Sequence, residues 1–314
     1  MRSERIFAAC APGLEPVLAN ELVALGLDAR PVRGGVEATG PDAVAVACIG
    51  ARTADSVVLR LFVGPERELD RALADARRRT RGARLAVRRQ DGLASVSLDA
   101  VGGALYRRGY RERIGAAPLR ESVAAAMLLL AGYDGSAPLL DPMCGSGTIA
   151  IEAALIAARR SPGLRRRFAF ESWPWTEAAR TAAVRARFAA RERGPPAPIL
   201  ASDRNAGVLR LAARNAAAAG VETVVKLRRE DAARLEAPPG PGLVAVNPPF
   251  GVRLAEDVAG AWGALAALLA RLPAWRAAIL APDRGLERLL ARPATRAVRI
   301  RPGGLPCRVL LLGA

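Results

Sequence analysis

The chain has 314 residues, with 47 Lys or Arg against 30 Asp or Glu and a formal charge of +17; Lys226 is its only lysine and histidine is absent. This composition excludes a Ser–His–Asp triad, a Cys–His dyad, a histidine general base and a His-ligated metal. The four cysteines (Cys10, Cys48, Cys144, Cys307) are far apart with no C-x-x-C pair, which argues against a metal ribbon, an iron–sulfur cluster or a disulfide framework and fits a reducing compartment. No apolar run reaches 18 residues, and Met1–Ala8 lacks the apolar stretch of a secretory leader, so a cytoplasmic chain with no membrane segment is expected. The charge excess points to an anionic partner, most simply nucleic acid. Base-composition bias accounts for arginine in place of lysine but not for the net charge.

The length suggests two domains. In the first, Arg5–Cys10 reads as a strand, Leu14, Val17, Leu18, Leu22 and Leu25 recur at helical spacing, and Gly26 stops the helix. Strands follow at Ala29–Val32 and Gly35–Thr39, a helix over Asp42–Gly50 and a strand over Ser56–Val63, which is a ferredoxin-like βαββαβ order ending at 65. Residues 66–95 are polar and basic, with room for one short helix and one strand; they read as a connecting segment, either a solvated helical face or an RNA-facing patch. From 96 to 314, a helix over 117–132 precedes strand candidates at 138–142, 199–203, 223–228, 242–246, 276–281, 296–301 and 307–313, with helical patterns between most of them. That alternation predicts an α/β, doubly wound, Rossmann-like parallel sheet. The last two strands are joined only by Pro302–Pro306, too short for a parallel crossover, so they form an antiparallel hairpin.

Four places carry chemistry. The first is Leu139-Leu140-Asp141-Pro142-Met143-Cys144-Gly145-Ser146-Gly147-Thr148, a strand-to-helix turn in which Gly145 and Gly147 allow close backbone approach to a ligand. It has no phosphate-loop pattern. An acid before the glycines suits a cationic ligand bearing an amino acid, and S-adenosylmethionine fits, its α-ammonium pairing with Asp141. The second is Asp203, with Arg204 beside it, where a carboxylate can accept both ribose hydroxyls of a nucleoside or cap the helix 206–219. The third is Asp231, with Ala232 after it, placed to accept from an adenine amine or to cap a turn. The fourth is Asn247-Pro248-Pro249-Phe250 after an apolar strand. Two prolines stiffen the corner, the Asn247 amide oxygen and the Pro248 carbonyl offer two acceptors to a planar exocyclic amine, and Phe250 can stack on the attached ring.

These motifs look like the signature of class I, S-adenosylmethionine-dependent amino methyltransferases. Val96–Asp99, Leu105–Arg111, Ala117–Glu121, the 141–154 segment and Asn247–Leu254 resemble in particular the THUMP-associated RNA guanine-N2 methyltransferases, and Phe7–Glu15 with Gly34-Gly35-Val36 resembles that family's ferredoxin-like domain. The resemblance implies transfer of a methyl group to the N2 amine of guanine in rRNA or tRNA, with no metal. Asn247 and Pro248 would orient the nitrogen, Phe250 would stack, Leu119 would lie beside the cofactor, and Met143 and Cys144 would give it backbone contacts. A THUMP domain needs many tens of residues after the ferredoxin-like unit; 66–95 is all that stands there, so the domain is truncated or missing. The rival readings are an N-methyltransferase acting on DNA adenine or protein glutamine, and a catalytically silent RNA-binding protein. The sequence does not speak to oligomeric state.

The stretch 160–198 adds Arg165-Arg166-Arg167-Phe168-Ala169-Phe170-Glu171-Ser172-Trp173-Pro174-Trp175 in a chain that is 4% aromatic. Trp173 or Trp175 could stack on bases; the favoured expectation is that Phe168, Phe170 and at least one tryptophan pack the insert onto the sheet. The helix 178–193 reads as a solvated amphipathic element.

Overall fold

The computed structural model describes residues 3–81, 83–111, 119–194, 197–249, 255–282, 285–290 and 292–313, with the backbone alone for 255–257. The chain divides into two compact units, Met1–Tyr106 with Ser161–Arg191, and Arg107–Arg160 with Glu192–Ala314.

In the first unit, β1 (Ser3–Ala9), α1 (Glu15–Ala24), β2 (Asp28–Val32), β3 (Gly35–Pro41), α2 (Ala43–Gly50) and β4 (Ser56–Pro65) follow the expected order. They pair antiparallel as β2-β3-β1-β4. Period-2 alternation makes this possible: Ile6 and Ala8 are fully buried while Arg5 is exposed. Next come α3 (Leu69–Thr80), β5 (Leu85–Gln90) and β6 (Leu93–Asp99). Here the expected boundaries at 65 and 95 need correction. β6 pairs with β4, and β5 with β6, so residues 66–99 widen the first sheet to six strands. The turn between β5 and β6 is Asp91-Gly92, both at positive φ (53° and 73°), as a two-residue hairpin of this sequence requires. The arginines of α3 lie on its solvent side, opposite buried Leu69 and Ala76.

The second unit opens with α4 (Glu121–Leu130), β7 (Leu139–Asp141) and α5 (Thr148–Ala157). The chain then returns to the first unit, where α6 (Ala178–Ala189) lies against α2. Gly163 donates to the Ile49 carbonyl at 2.9 Å, and a Cβ there would come within 2.4 Å of the Cys48 carbonyl, so only glycine permits this approach. Phe168, Phe170, Trp173 and Phe188 are buried and Trp175 is exposed. The rings therefore pack, as expected, but their apolar partner is the wholly buried α2.

The second sheet is completed by β8 (Ile199–Asp203), α7 (Ala206–Ala219), β9 (Val225–Arg229), β10 (Leu243–Val246), α8 (Ala255–Arg271), β11 (Arg276–Pro282), β12 (Arg296–Ile300) and β13 (Cys307–Leu312). Its order is β12-β13-β11-β10-β7-β8-β9. β7 to β11 are parallel, and β13 runs antiparallel to both β11 and β12, the expected hairpin. Trp262, Leu265 and Leu269 of α8 pack on Val244, Val246 and Ile279. The chain steps outward from β7 to β9 and then returns to β10 on the other side of β7. Such a reversal leaves a crevice at the carboxyl ends of the strands. Among the described residues no helix is long and apolar enough to cross a membrane, and no group of acids and cysteines is arranged to hold a metal.

Candidate active site

The loop after β7 is fastened to its neighbours. Cys144 donates its amide to the Ser202 carbonyl at 2.8 Å, and Asn215 of α7 holds the Ser146 carbonyl at 2.9 Å. Gly147, at φ 84°, is the first turn's N-cap, and α5 begins directly after it. Gly145 also has positive φ, and its Cβ direction meets nothing within 4 Å, so a ligand can lie against its backbone.

The Asp203 carboxylate at the end of β8 accepts the Gly145 amide at 3.0 Å and the Asn205 amide at 2.9 Å. It thus ties the first loop to the second strand. The helix cap that Asp203 was a candidate for belongs to Asn205, whose Oδ1 accepts from Gly207 and Val208 at 2.8 and 3.3 Å. Asp203 is left half-buried with lone pairs to spare. Asp231, after β9, accepts the Ala233 amide at 2.8 Å and so shapes the turn that presents Ala232. At the end of β10, the Asn247 Oδ1 is buried and has no hydrogen-bond partner, while the Pro249 carbonyl is held by Trp262 Nε1 at 3.4 Å.

These strand ends enclose one cavity of about 370 Å³. Met143, Gly145, Asp203, Arg204, Asp231, Ala232, Asn247 and Pro249 all line it. The expected sites after β7, β8, β9 and β10 are therefore brought together. Sequence reasoning missed Asn205, Glu230 and a wall of α8 made by Gly260, Ala261 and Ala264. Those three small residues share one helical face, a pattern that the alanine-rich composition of the chain conceals.

Asp141, Cys144, Gly147, Thr148, Leu119 and Pro248 do not line the cavity; Phe250 lies outside the described residues. Arg111 donates to the Leu119 carbonyl and the Thr148 hydroxyl and lies 3.6 Å from Glu121, so it joins the starts of α4 and α5. Behind it, buried Glu152 accepts from Tyr110 at 3.1 Å and sits 3.5 Å from Arg108. Burial pushes the Cys144 thiol well above its usual pKa, with the Asp141 and Asp203 charges adding to the rise.

Asp141 is only 1% exposed, and neither carboxylate oxygen has a hydrogen-bond partner. Burial pushes its pKa up to about 8; the nearby Met143 and Ala150 amides oppose the rise and the Asp203 charge adds to it. A buried carboxyl that the protein leaves unpaired is suited to a cationic ligand. A second acid with lone pairs to spare, an open glycine backbone and an unpartnered amide oxygen complete a set of acceptors suited to a positively charged nucleoside and a planar amine.

Comparison with known proteins agrees with that chemistry. The profile described as RMKL-like, methyltransferase domain matches residues 108–310. The chain belongs to this family. The RlmL ferredoxin-like domain matches residues 5–58, the stretch of β1 to β4. The RMKL-like chain is 31% identical over 381 residues to "Ribosomal RNA large subunit methyltransferase K/L" of Chromohalobacter salexigens, covering 98% of this chain and 52% of that protein. It is 37% identical over 238 residues to the protein of that name from Vibrio campbellii, covering 71% of this chain and 33% of that one. The chain thus spans about half, or less, of the length of the curated relatives it matches. Among solved structures, it is 25% identical to a predicted N6-adenine-specific DNA methylase from Listeria monocytogenes (TM-score 0.90, covering 100% of this chain and 97% of that one). It is also 25% identical to SMU.472, a methyltransferase candidate complexed with SAH (TM-score 0.89, 100% and 99%).

Proposed function

We propose that this RMKL-like chain transfers a methyl group from S-adenosylmethionine to the exocyclic N2 amine of a guanine in ribosomal RNA, in the cytoplasm. The observation that carries the reading is the shared cavity: Asn247, whose buried Oδ1 has no partner, lines it together with Asp203 and Asp231. The residues fit the cofactor, since two buried Asp141 oxygens lack partners and the Gly145 face is open. Asp141 would answer its ammonium, Asp203 its ribose hydroxyls and Asp231 its adenine amine. When bound, the cofactor supplies an electrophilic methyl group on a sulfonium. Asn247 Oδ1 accepts a hydrogen from the acceptor amine and so turns the nitrogen lone pair toward the cavity. Met143, Pro249 and the small residues of α8 give the cavity its apolar lining. The rate gain is one of positioning, and a guanine within a helix has to be flipped out to reach the wall. The relatives named ribosomal RNA large subunit methyltransferase K/L support RNA as the substrate.

The test supplies the purified chain with tritium-labelled cofactor and separate RNA, DNA and protein pools. Label is expected in RNA, recovered as N2-methylguanosine by mass spectrometry of nucleosides. Label in DNA adenine would instead favour the second reading, which the name of the Listeria structure supports.

A further inference from the structure

Among the described residues, the helices packed on the first sheet lie on one of its faces. α1 packs on β2 and β3, α2 on β1, and α3 on β4 and β6, all on the side where Ile6, Ala8, Val36 and Ala38 are buried. Strand register fixes what stands on the other side. Phe7 is opposite Glu37 and Val58, Arg30 opposite Glu37, Arg60 opposite Ser97, and Arg88 opposite Ser95. A groove of about 290 Å³ runs over this face, lined among others by Phe7, Arg33, Arg60 and Arg88.

Arg60 is the centre of it. Its guanidinium lies over the Phe7 ring, 4.6 Å from the centroid. Its Nη1 donates to the hydroxyls of Ser95 and Ser97, at 2.9 Å each, and its Nε is buried with no hydrogen-bond partner. The side chain is thus pre-oriented, with a donor unused. Burial pulls its pKa below the usual value, Glu37 opposes that, and Arg88 and Arg5 reinforce it. The Glu37 carboxylate is already shared between Arg5 at 2.9 Å and Arg30 at 2.7 Å. Among the described residues Asp91 is the other acid that lines the groove, against Arg33, Arg60 and Arg88, so the groove itself carries one positive charge in excess, which an anion would relieve.

We propose that this face binds an unpaired RNA segment, with phosphates on Arg33, Arg60 and Arg88 and a base stacked on the Arg60–Phe7 layer. The proposal rests on the reading of the chain as acting on RNA, and it supplies the capture surface for a chain whose basic segment after β4 has become part of the sheet. Arginine stacked on an aromatic ring is a platform for a base, and a basic groove tracks a single-stranded backbone; a duplex is held through its wide minor groove and regularly spaced phosphates instead. The rival aromatic pair fits less well. Trp173 and Trp175 share their hollow with Glu4, Asp42 and Glu177, and its Arg180 is taken up by Asp42 at 2.7 Å and Glu177 at 3.8 Å, an acidic balance that repels phosphate.

The test is anisotropy titration of the full chain with a labelled, unstructured RNA oligonucleotide over a salt series. The double substitution Arg33→Glu/Arg88→Glu is expected to weaken binding at least about tenfold and to flatten the slope of log affinity against log salt by roughly 0.7 per lost phosphate contact. Arg71→Glu/Arg77→Glu, the same charge change on exposed positions of α3, is expected to move affinity less than about threefold. Melting temperature and cofactor affinity measured in parallel show that each variant is folded. Wild-type affinity and slope in the first variant, an equal loss in the second, or no RNA binding by the unaltered chain would each overturn the proposal. The two readings separate cleanly: RNA binding that depends on this face, together with methyl label found only in DNA or protein, sinks the proposed reaction and leaves the binding surface standing.

Discussion

Asp141 ends β7 and Glu152 sits within α5, and both are buried to 1% exposure or less. Glu152 is answered by the fold, with Tyr110 donating to it and Arg108 beside it. For Asp141 the fold provides only the nearby Met143 and Ala150 amides, and neither carboxylate oxygen has a hydrogen-bond partner. One loop and part of one helix separate a carboxylate that holds the second unit together from one that the proposed function gives to the cofactor. What distinguishes them is the partner, since burial is the same. Removing the partner of a buried charge destabilises strongly, whereas a charge left unpaired shifts its pKa and waits for a cation.

The largest effect should come from the first of the pair. Glu152→Ala removes the buried acid beside Arg108 and the acceptor of the Tyr110 hydroxyl, and a loss of about 3 kcal/mol or more is expected in urea denaturation. Glu152→Gln keeps an acceptor for Tyr110 and should lose less. A near-neutral alanine variant would dissolve the comparison. Next in size is Asn247→Ala at the other end of the cavity. It removes an oxygen that no protein group uses, so folding and cofactor affinity should hardly move, while methyl transfer falls at least about 10²-fold. Turnover near the unaltered rate would remove Asn247 from the reaction.

Asp141→Asn sharpens the contrast through pH. The folded pKa of about 8 lies above the unfolded value of about 3.9. Between the two, the folded state holds the extra proton, so Asp141 makes stability fall as pH rises through that window, with no penalty below it and the full penalty above pH 8. The stability of the Asp141→Asn variant relative to the unaltered chain should therefore climb from pH 4 to pH 8 and then level off, whatever constant cost the amide adds. Cofactor binding has the opposite sense. The proton has to leave before the carboxylate can meet an ammonium, so affinity should rise by up to tenfold per pH unit and flatten near pH 8, with proton release visible by calorimetry in buffers of different ionisation enthalpy. The variant should bind more weakly and show no such slope. A parallel slope in both proteins would place the titrating group elsewhere.

Most strands of the second sheet were legible because they are short apolar runs closed by Asp, Asn, Gly or Pro, as in Leu243–Val246 before Asn247-Pro248; the edge strands Val225–Arg229 and Arg296–Ile300 carry arginines instead. Since those closing residues are also the site, the cavity wall was largely readable too. Elsewhere the signal was local but overlooked: Asp91-Gly92 between two runs of alternating residues is a hairpin turn, yet only one strand was expected there. The return of 161–191 to the first unit could not be read, because Gly163 and Phe188 meet α2 across more than a hundred residues of chain and nothing local marks a partner so distant. Gly260, Ala261 and Ala264 were hidden by composition. In a chain rich in alanine, three small residues on a helix look like bias, and only the cavity beside them shows that their size is used.

The smallest effect concerns Asp203 and Asn205, where two roles first read into one residue turn out to be divided. A capping residue satisfies the amides at the start of its own helix, and that is what the Asn205 Oδ1 does. A residue serving the site has to reach beyond its own helix, and Asp203 reaches the Gly145 amide on the preceding loop. Asn205→Ala should therefore lower stability by about 1 kcal/mol and change cofactor affinity less than about twofold, since the carboxylate and its hold on Gly145 remain. Asp203→Ala loosens that loop and removes the acceptor for hydroxyls, and hydrogen bonds to a charged group of this kind are worth about tenfold in affinity or more. Calorimetric titration of both variants decides the matter: equal losses of affinity would mean that the shape of the helix start, and not the carboxylate, recognises the nucleoside.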